Sequence, residues 1–170
     1  MTDETGQPPA SSGSIEVRRI VAPPRIEIEQ LAAIFDRYRA HYGEAADASQ
    51  TASWLEKNIG SGHLEAFVAD DNGEFIGFAI TMAVPASLRL GHFWQIRDLF
   101  VFPPHRRRGV GGALLDFIRA AAISAGALRL VLQTEADNTS ALRLYAESGY
   151  TIVEGYRSLT LPLKPDFRGS

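Results

Sequence analysis

A basic, glycine-rich turn at residues 106–112 (RRRGVGG) joins the apolar run 99–102 (LFVF) to a helical pattern that begins at Ala113. The chain is therefore predicted to form a strand, a turn and a helix in direct succession here. Free amide N–H groups and the helix dipole attract anions to such a helix N-terminus, and glycines let a ligand approach the backbone. Three consecutive arginines add fixed positive charge. The segment predicts a site for a phosphorylated ligand.

Other glycine-rich sites explain this turn less well. A P-loop requires Gly-Lys followed by Ser or Thr, and neither Lys-Ser nor Lys-Thr occurs in the chain. A dinucleotide-binding fingerprint belongs on the first βα turn of a parallel sheet, whereas this turn follows several hairpin-like strands. The turn alone leaves one alternative open, in which the glycines only permit helix–strand packing and the arginines are solvated.

The rest of the chain is predicted to be a single α+β domain over residues 15–165. Residues 1–14 are rich in Ser, Gly, Pro and Thr and are expected to form a disordered tail. Periodicity and turn signals predict a strand at 15–21, helices at 28–42 and 48–59, strands at 64–70, 75–84 and 92–102, a helix at 109–125, a strand at 128–132, a helix at 138–148 and a terminal hairpin at 150–153 and 157–163. This order indicates a mixed, mainly antiparallel sheet flanked by helices.

Composition narrows the classes of function. The net charge of −3 argues against a nucleic-acid partner, because the basic run at the turn is local. With no cysteine there is no disulfide or cysteine nucleophile, and four histidines without ligand spacing predict that no metal is bound. No segment is apolar enough to span a membrane and no signal peptide is apparent, so the expected location is the cytoplasm, with no membrane partner.

Three motifs in this chain resemble those of the GNAT superfamily of N-acetyltransferases. Arg106-x-x-Gly109-x-Gly111 is similar to the family's Arg/Gln-x-x-Gly-x-Gly/Ala signature. Residues 138–150 (NTSALRLYAESGY) resemble its Asn-x-x-Ala-x-x-x-Tyr helix followed by Gly-Tyr or Gly-Phe, and residues 98–101 (DLFV) resemble a strand of the polyamine-acetyltransferase-like branch. The motifs occur in the family's order, and the resemblance covers roughly residues 64–154.

This resemblance implies the GNAT-like acyl-CoA N-acyltransferase fold and direct transfer of an acetyl group from acetyl-CoA to a primary amine. It also implies that the strand at 99–102 diverges from the strand at 128–132, with the pantetheine arm in the gap. Gly109 and Gly111 are expected to leave room for the pyrophosphate, which a Cβ would fill. The cofactor-binding residues so implied are Leu99, Phe100, Val101, Arg106, Arg107, Arg108, Gly109, Val110, Gly111, Gly112 and Asn138.

Two residues of the last helix motif have both a functional and a structural interpretation. Tyr145 is implied as the general acid that protonates the coenzyme A sulfur, since a phenol with a pKa of about 10 is protonated at neutral pH. The alternative is a ring packed in the core with its hydroxyl bonded to backbone. Asn138 is expected to cap the helix as well as to touch the cofactor arm, and the two roles can coexist.

The general base is not identified by the sequence. The polyamine branch has a Glu immediately before the Asp-Leu run, where this chain has Arg97, which cannot accept a proton. Asp98 is the nearest carboxylate, although strand alternation predicts that it points away from the face of Arg97. Glu65, Glu135 and an ordered water chain are the other candidates.

The sequence also predicts a preference for the charge of the substrate, and this prediction depends on Arg97. A permanent positive charge beside the acceptor would repel a polyamine such as spermidine and favour an amine that also carries a carboxylate. A small-molecule amine is the leading acceptor. Acetylation of a protein N-terminus or lysine, and a non-catalytic acetyl-CoA-binding regulatory domain, are the alternatives. The sequence is compatible with a homodimer.

Overall fold

The computed structural model describes residues 15–155 and 157–163, so the predicted tail at 1–14 lies outside the described residues. Four helices and five strands follow the predicted order with small shifts of their bounds. They are β1 (Glu16–Ile20), α1 (Arg25–His41), α2 (Ala48–Gly60), β2 (Glu65–Asp71), β3 (Glu74–Ala86), β4 (Gly91–Val101), α3 (Val110–Ser124), β5 (Leu130–Leu132) and α4 (Thr139–Glu147).

The strands form one sheet in the order β1-β2-β3-β4-β5. The first four pair antiparallel, and β5 pairs parallel with β4. At the tip of the β2–β3 hairpin, Asn72 and Gly73 both have positive φ, as a tight turn matched to the strand twist requires. The predicted mixed, mainly antiparallel sheet is thereby confirmed.

The sheet separates two hydrophobic clusters. Helices α1 and α2 cover one face, where Leu31 and Leu55 pack with Phe78 and Phe100. Helix α3 covers the other face, and α4 adds partly buried side chains at its edge. Successive residues of β2 alternate between the two clusters, because side chains of a strand point to opposite faces. Among the described helices, none combines the length and the hydropathy needed to cross a bilayer.

The predicted terminal hairpin is wrong for the residues that the structure describes. Residues 151–155 and 157–163 contain no strand, and their apolar side chains at 152, 153, 159, 161 and 163 are 74% to 93% exposed. The alternation of leucines at 159, 161 and 163 is typical of a strand. Such a strand needs a buried face for these side chains, and Pro162, near the end of the run, lacks the amide donor that a ladder requires.

Candidate active site

The turn between β4 and α3 presents unpaired backbone donors. Gly109 caps the helix with φ +82°, and Arg107 also has positive φ, at +61°. The first bond of the helix runs from the amide of Ala113 to the carbonyl of Gly109, over 3.0 Å. Among the described residues, no acceptor faces the amides of Val110 and Gly111, or that of the next glycine. These donors suit an anion such as a phosphate.

Two of the three arginines hold the turn in place. Nε of Arg106 donates to the carbonyl oxygen of Val101 over 2.9 Å, so it ties the turn to the end of β4. The guanidinium of Arg108 lies 3.5 Å from a carboxylate oxygen of Asp71, in the β2–β3 hairpin. Within the described part of the chain, Arg107 has no such contact, so its charge is the one most available to a ligand.

Gly111 was expected to leave room for the pyrophosphate, but its surroundings give it a packing role instead. A Cβ at Gly111 would lie 2.9 Å from Cδ2 of Leu144, so the absence of a side chain serves the packing of α4 on α3. A Cβ at Gly109 or Gly112 would meet no protein atom within 4 Å. The open approach to the turn is therefore at Gly109 and Gly112, because the space beside Gly111 is already filled by protein.

Strands β4 and β5 separate after a short parallel pairing. Trp94, Gln95 and Ile96 pair with the three residues of β5, whereas β4 itself continues to Val101. The stretch after Ile96 has no strand neighbour on the β5 side among the described residues. The pairing thus ends before residues 97–101, as the implied divergence requires, and the backbone groups of β4 on this side can hydrogen-bond to an extended ligand.

Helix α4 places Tyr145 beside this gap. Its ring lies in the cluster that contains Leu99 and Val101, and its centroid is 5.9 Å from that of Tyr150. Burial raises the pKa of the Tyr145 hydroxyl, and nearby Tyr42 and Glu135 add to the effect, so the phenol is protonated at neutral pH.

Asn138 has the structural role predicted for it. Its side-chain oxygen accepts a hydrogen bond from the amide of Ala141 over 3.1 Å, and it caps α4. The cap fixes the start of the helix that carries Tyr145. A contact between Asn138 and the cofactor arm stays a prediction.

A second feature lies on the opposite face of the sheet, between the α1–α2 pair and strands β3 and β4. It is a cavity of about 900 Å³, within the size range of small-molecule sites. Its lining combines aromatic, aliphatic, polar and charged side chains, including Phe35, Tyr38, Arg39, Trp54, His63, Leu64, Ile80, Met82, Arg97 and Asp98.

A β-bulge brings Arg97 and Asp98 into this same cavity. Ile80 pairs with Asp98, but the next residue of β3, Thr81, pairs with Ile96, so Arg97 is the extra residue. A bulge interrupts the alternation of side chains along a strand. The prediction that Asp98 points away from the face of Arg97 is therefore wrong, since both residues line the cavity.

Tyr38 of α1 holds the carboxylate of Asp98. Its hydroxyl donates to Oδ1 of Asp98 over 2.8 Å. Burial raises the pKa of Asp98, and the hydrogen bond from Tyr38 and the charge of Arg97 only partly oppose that rise. Burial, and then the Asp98 charge, raise the pKa of Tyr38, which stays a donor. Asp98 is thus a carboxylate with increased basicity at the wall of a cavity.

The other two candidate bases do not line this cavity. Glu65 pairs with Arg19 over 3.0 Å and borders a separate pocket of about 110 Å³. Glu135 is exposed and precedes α4 in the chain.

In the described part of the protein, no group of three or more His, Cys, Asp or Glu side chains could hold a metal ion.

Among the cavity residues that the sequence did not mark as functional, three bear on its chemistry. Tyr38 and Trp54 follow the helical apolar period, which predicts core positions, yet Trp54 is 47% exposed. The sequence contained no functional signal for His63 beyond the absence of ligand spacing, and His63 lines the cavity with Nδ1 2.7 Å from Oγ of Ser61. A polar atom on an otherwise apolar helix face was the only available signal for Tyr38.

Comparison with known proteins identifies the class to which this fold and site belong. The sequence profile of the Acetyltransferase (GNAT) family matches residues 28–150. The uncharacterized N-acetyltransferase YhfO of Bacillus subtilis (strain 168) is 34% identical over 126 residues, which cover 74% of this chain and 85% of that protein. The class is therefore that of the acetyltransferases.

Solved structures agree on the fold. The crystal structure of a probable acetyltransferase matches with a TM-score of 0.80 at 24% identity, over 88% of this chain and 98% of that one. A second match is the aminoglycoside acetyltransferase meta-AAC0020 from an uncultured soil metagenomic sample, in complex with trehalose. Its TM-score is 0.74 at 19% identity, and the match covers 88% of this chain and 97% of that one. This chain belongs to the GNAT family, and the protein is an N-acetyltransferase.

Proposed function

We propose that the protein transfers the acetyl group of acetyl-CoA directly to a primary amine of a small molecule. One observation carries this proposal: β4 joins two sites. Its end leads into the turn of unpaired amides, and its bulge places Asp98 in a cavity of about 900 Å³. A donor bound along one side of β4 and an acceptor bound in the cavity would meet at this strand.

The residues of the turn and of the strand edge fit acetyl-CoA. The free amides of residues 110–112 suit the pyrophosphate, and Arg107 adds an available charge. The edge of β4 over residues 97–100, beyond its pairing with β5, suits the amide groups of the pantetheine arm. When bound, acetyl-CoA supplies an acetyl thioester. The amide of Leu99 or Phe100 is the proposed donor to the oxyanion that develops there.

Asp98 is the proposed general base. A protonated alkylamine with a pKa of about 10.4 must lose a proton before it can attack a carbonyl carbon. A carboxylate whose pKa is raised by burial accepts that proton more readily than an exposed one. The hydrogen bond from Tyr38 holds the carboxylate at the cavity wall.

Tyr145 is the proposed general acid. Its hydroxyl is protonated, and no hydrogen-bonding partner for it exists among the described residues, so the proton is available. It would transfer that proton to the departing thiolate. The base and the acid lie on different elements, β4 and α4, on either side of the proposed reaction centre.

The proposal is tested by an amine screen. Purified protein, acetyl-CoA and single amines are mixed, release of the free thiol is followed, and the acetylated amine is identified by mass spectrometry. We expect thiol release that depends on both protein and amine. If folded protein acetylates only peptide N-termini or protein lysines, the acceptor class is wrong. Binding of acetyl-CoA without turnover of any acceptor would contradict the proposed catalysis.

Gly112→Val is expected to weaken acetyl-CoA binding at least about tenfold, equivalent to about 1.4 kcal/mol. Helical Cα–Cβ bonds tilt toward the helix N-terminus, so a side chain here leans over the unpaired amides. A Cβ at Gly112 meets no protein atom, hence the fold should tolerate it. Calorimetric titration with acetyl-CoA measures the change.

Ala120→Val is the matched control, because Ala120 lies on the exposed side of the same helix. It should bind acetyl-CoA with the affinity of the wild type. An unchanged affinity of Gly112→Val, with a wild-type circular dichroism spectrum, would exclude the turn as the pyrophosphate site.

A further inference from the structure

We propose that the acceptor is a zwitterionic monoamine with a flat apolar body, the chemistry of an aromatic amino acid. This inference rests on the proposed function and concerns its acceptor cavity. Two observations support it: the charges that are available in the cavity, and one exposed aromatic side chain that lines it.

The two available charges have opposite sign and are adjacent. At the bulge both Arg97 and Asp98 line the cavity, although they are neighbours in a strand. Consecutive Cα atoms are about 3.8 Å apart, so a ligand whose amine and anionic group are separated by few bonds can address both side chains. The carboxylate of Asp98 faces the amine, and the guanidinium of Arg97 faces the anion.

The other arginine of the cavity is already neutralised. Nη1 of Arg39 lies 2.9 Å from Oδ1 of Asp36 and 3.0 Å from Oγ1 of Thr51, whose hydroxyl donates to the same Asp36 oxygen over 2.6 Å. This buried network ties α1 to α2. Among the described residues Arg97 is in no ion pair within 4.0 Å. Arg97 is thus the cation that a ligand can engage.

A polycation does not match this lining. Asp98 is the single carboxylate among the described lining residues, and the positive charge of Arg97 acts on it. A second or third ammonium group on the ligand would find no carboxylate partner and would be repelled by Arg97. One amine together with one anionic group satisfies the available charges.

The apolar part of the ligand is inferred from Trp54. Its side chain is 47% exposed and lines the cavity beside Phe35, with ring centroids 6.0 Å apart. Phe35 in turn contacts Tyr38 edge-to-face at 5.7 Å. An aromatic ring in the cavity could extend this series of rings and remove the exposed indole face from water. Ile80 and Met82 add apolar surface on the sheet side.

The test compares amines that differ in one group at a time. L-phenylalanine, L-phenylalaninamide, L-alanine and spermidine are assayed at one ionic strength with saturating acetyl-CoA. Their kcat/KM values are corrected for the fraction of neutral amine. We expect phenylalanine to exceed the amide about tenfold, as loss of a charge-assisted contact implies. Phenylalanine should also exceed alanine, and spermidine should be poorest.

Two variants assign these preferences to residues. Arg97→Gln should bring the ratio of phenylalanine to its amide close to one, and Trp54→Ala should reduce the ratio of phenylalanine to alanine. Arg89→Gln removes an exposed arginine that does not line the cavity, so both ratios should stay at their wild-type values.

The failures of the two proposals are distinguishable. If amines are acetylated but phenylalanine and its amide react equally, or spermidine reacts best, the inferred substrate class is wrong and the proposed function stands. A preference for the acid that persists in Arg97→Gln also overturns the inference. If folded protein acetylates none of the amines in the wider screen, the proposed function fails and this inference fails with it.

Discussion

Asp98→Asn is expected to lower kcat/KM for amine acetylation about 10²-fold or more at neutral pH, the typical contribution of a general base. The asparagine oxygen can still accept the hydrogen bond from Tyr38, so the cavity wall keeps its geometry. The substitution removes the negative charge of the carboxylate together with its ability to take a proton. Initial rates at saturating acetyl-CoA, measured with an amine that the wild type acetylates, test this expectation.

The pH profile distinguishes a base from a residue that only binds the substrate. Wild-type activity should fall as the pH drops through the raised pKa of Asp98, and Asp98→Asn should lack this step. The rates of the two proteins should converge at high pH, where more of the amine is already neutral. Asp116→Asn, which removes an exposed carboxylate from α3, is the matched control and should behave as the wild type. A wild-type rate for Asp98→Asn would assign the base elsewhere.

The same substitution should stabilise the protein. The pKa of Asp98 is raised in the folded protein above the unfolded value of about 3.9. Asp98 therefore contributes its full stabilisation below about pH 3.9, and this stabilisation is lost as the pH rises through the folded-state pKa. At about pH 8 the wild type therefore buries a charge that the asparagine variant does not. Thermal unfolding should show a higher Tm for Asp98→Asn at that pH and no gain below about pH 4.

Tyr145→Phe is expected to lower kcat about 10²-fold while the Tm barely changes. The ring keeps its packing against Tyr150 and the surrounding cluster, and the hydroxyl has no partner to lose among the described residues. The proton donor alone is removed. Steady-state kinetics and thermal unfolding of the same preparation measure both effects.

Tyr150→Phe is the matched control for Tyr145. The hydroxyl of Tyr150 is buried and has no hydrogen-bond partner among the described residues, so its removal should not destabilise the fold and should leave turnover unchanged. If Tyr145→Phe stays within twofold of the wild-type kcat, the proton reaches the thiolate from another donor and Tyr145 has a packing role.

Most of the fold was predictable because its signals are local. The apolar periods of α1 and α3, the Asn72–Gly73 turn and the Asn138 cap each depend on a few neighbouring residues, and the structure confirms them. The segment at 157–163 also carries a local strand pattern, yet it forms no strand. A strand forms only where a sheet edge is free to pair with it and one of its faces can be buried, and neither condition can be read from a local sequence pattern.

The sequence by itself determined the strand–turn–helix with its unpaired amides and the family to which the chain belongs, because glycines, caps and motif spacing act within short stretches. Only the tertiary structure decided that Arg97 shares a cavity with Asp98, since a bulge is a property of the register between two strands. It also decided that Leu144 fills the space beside Gly111 and that Tyr38 bonds to Asp98. Those contacts join residues far apart in the chain, and packing alone brings them together.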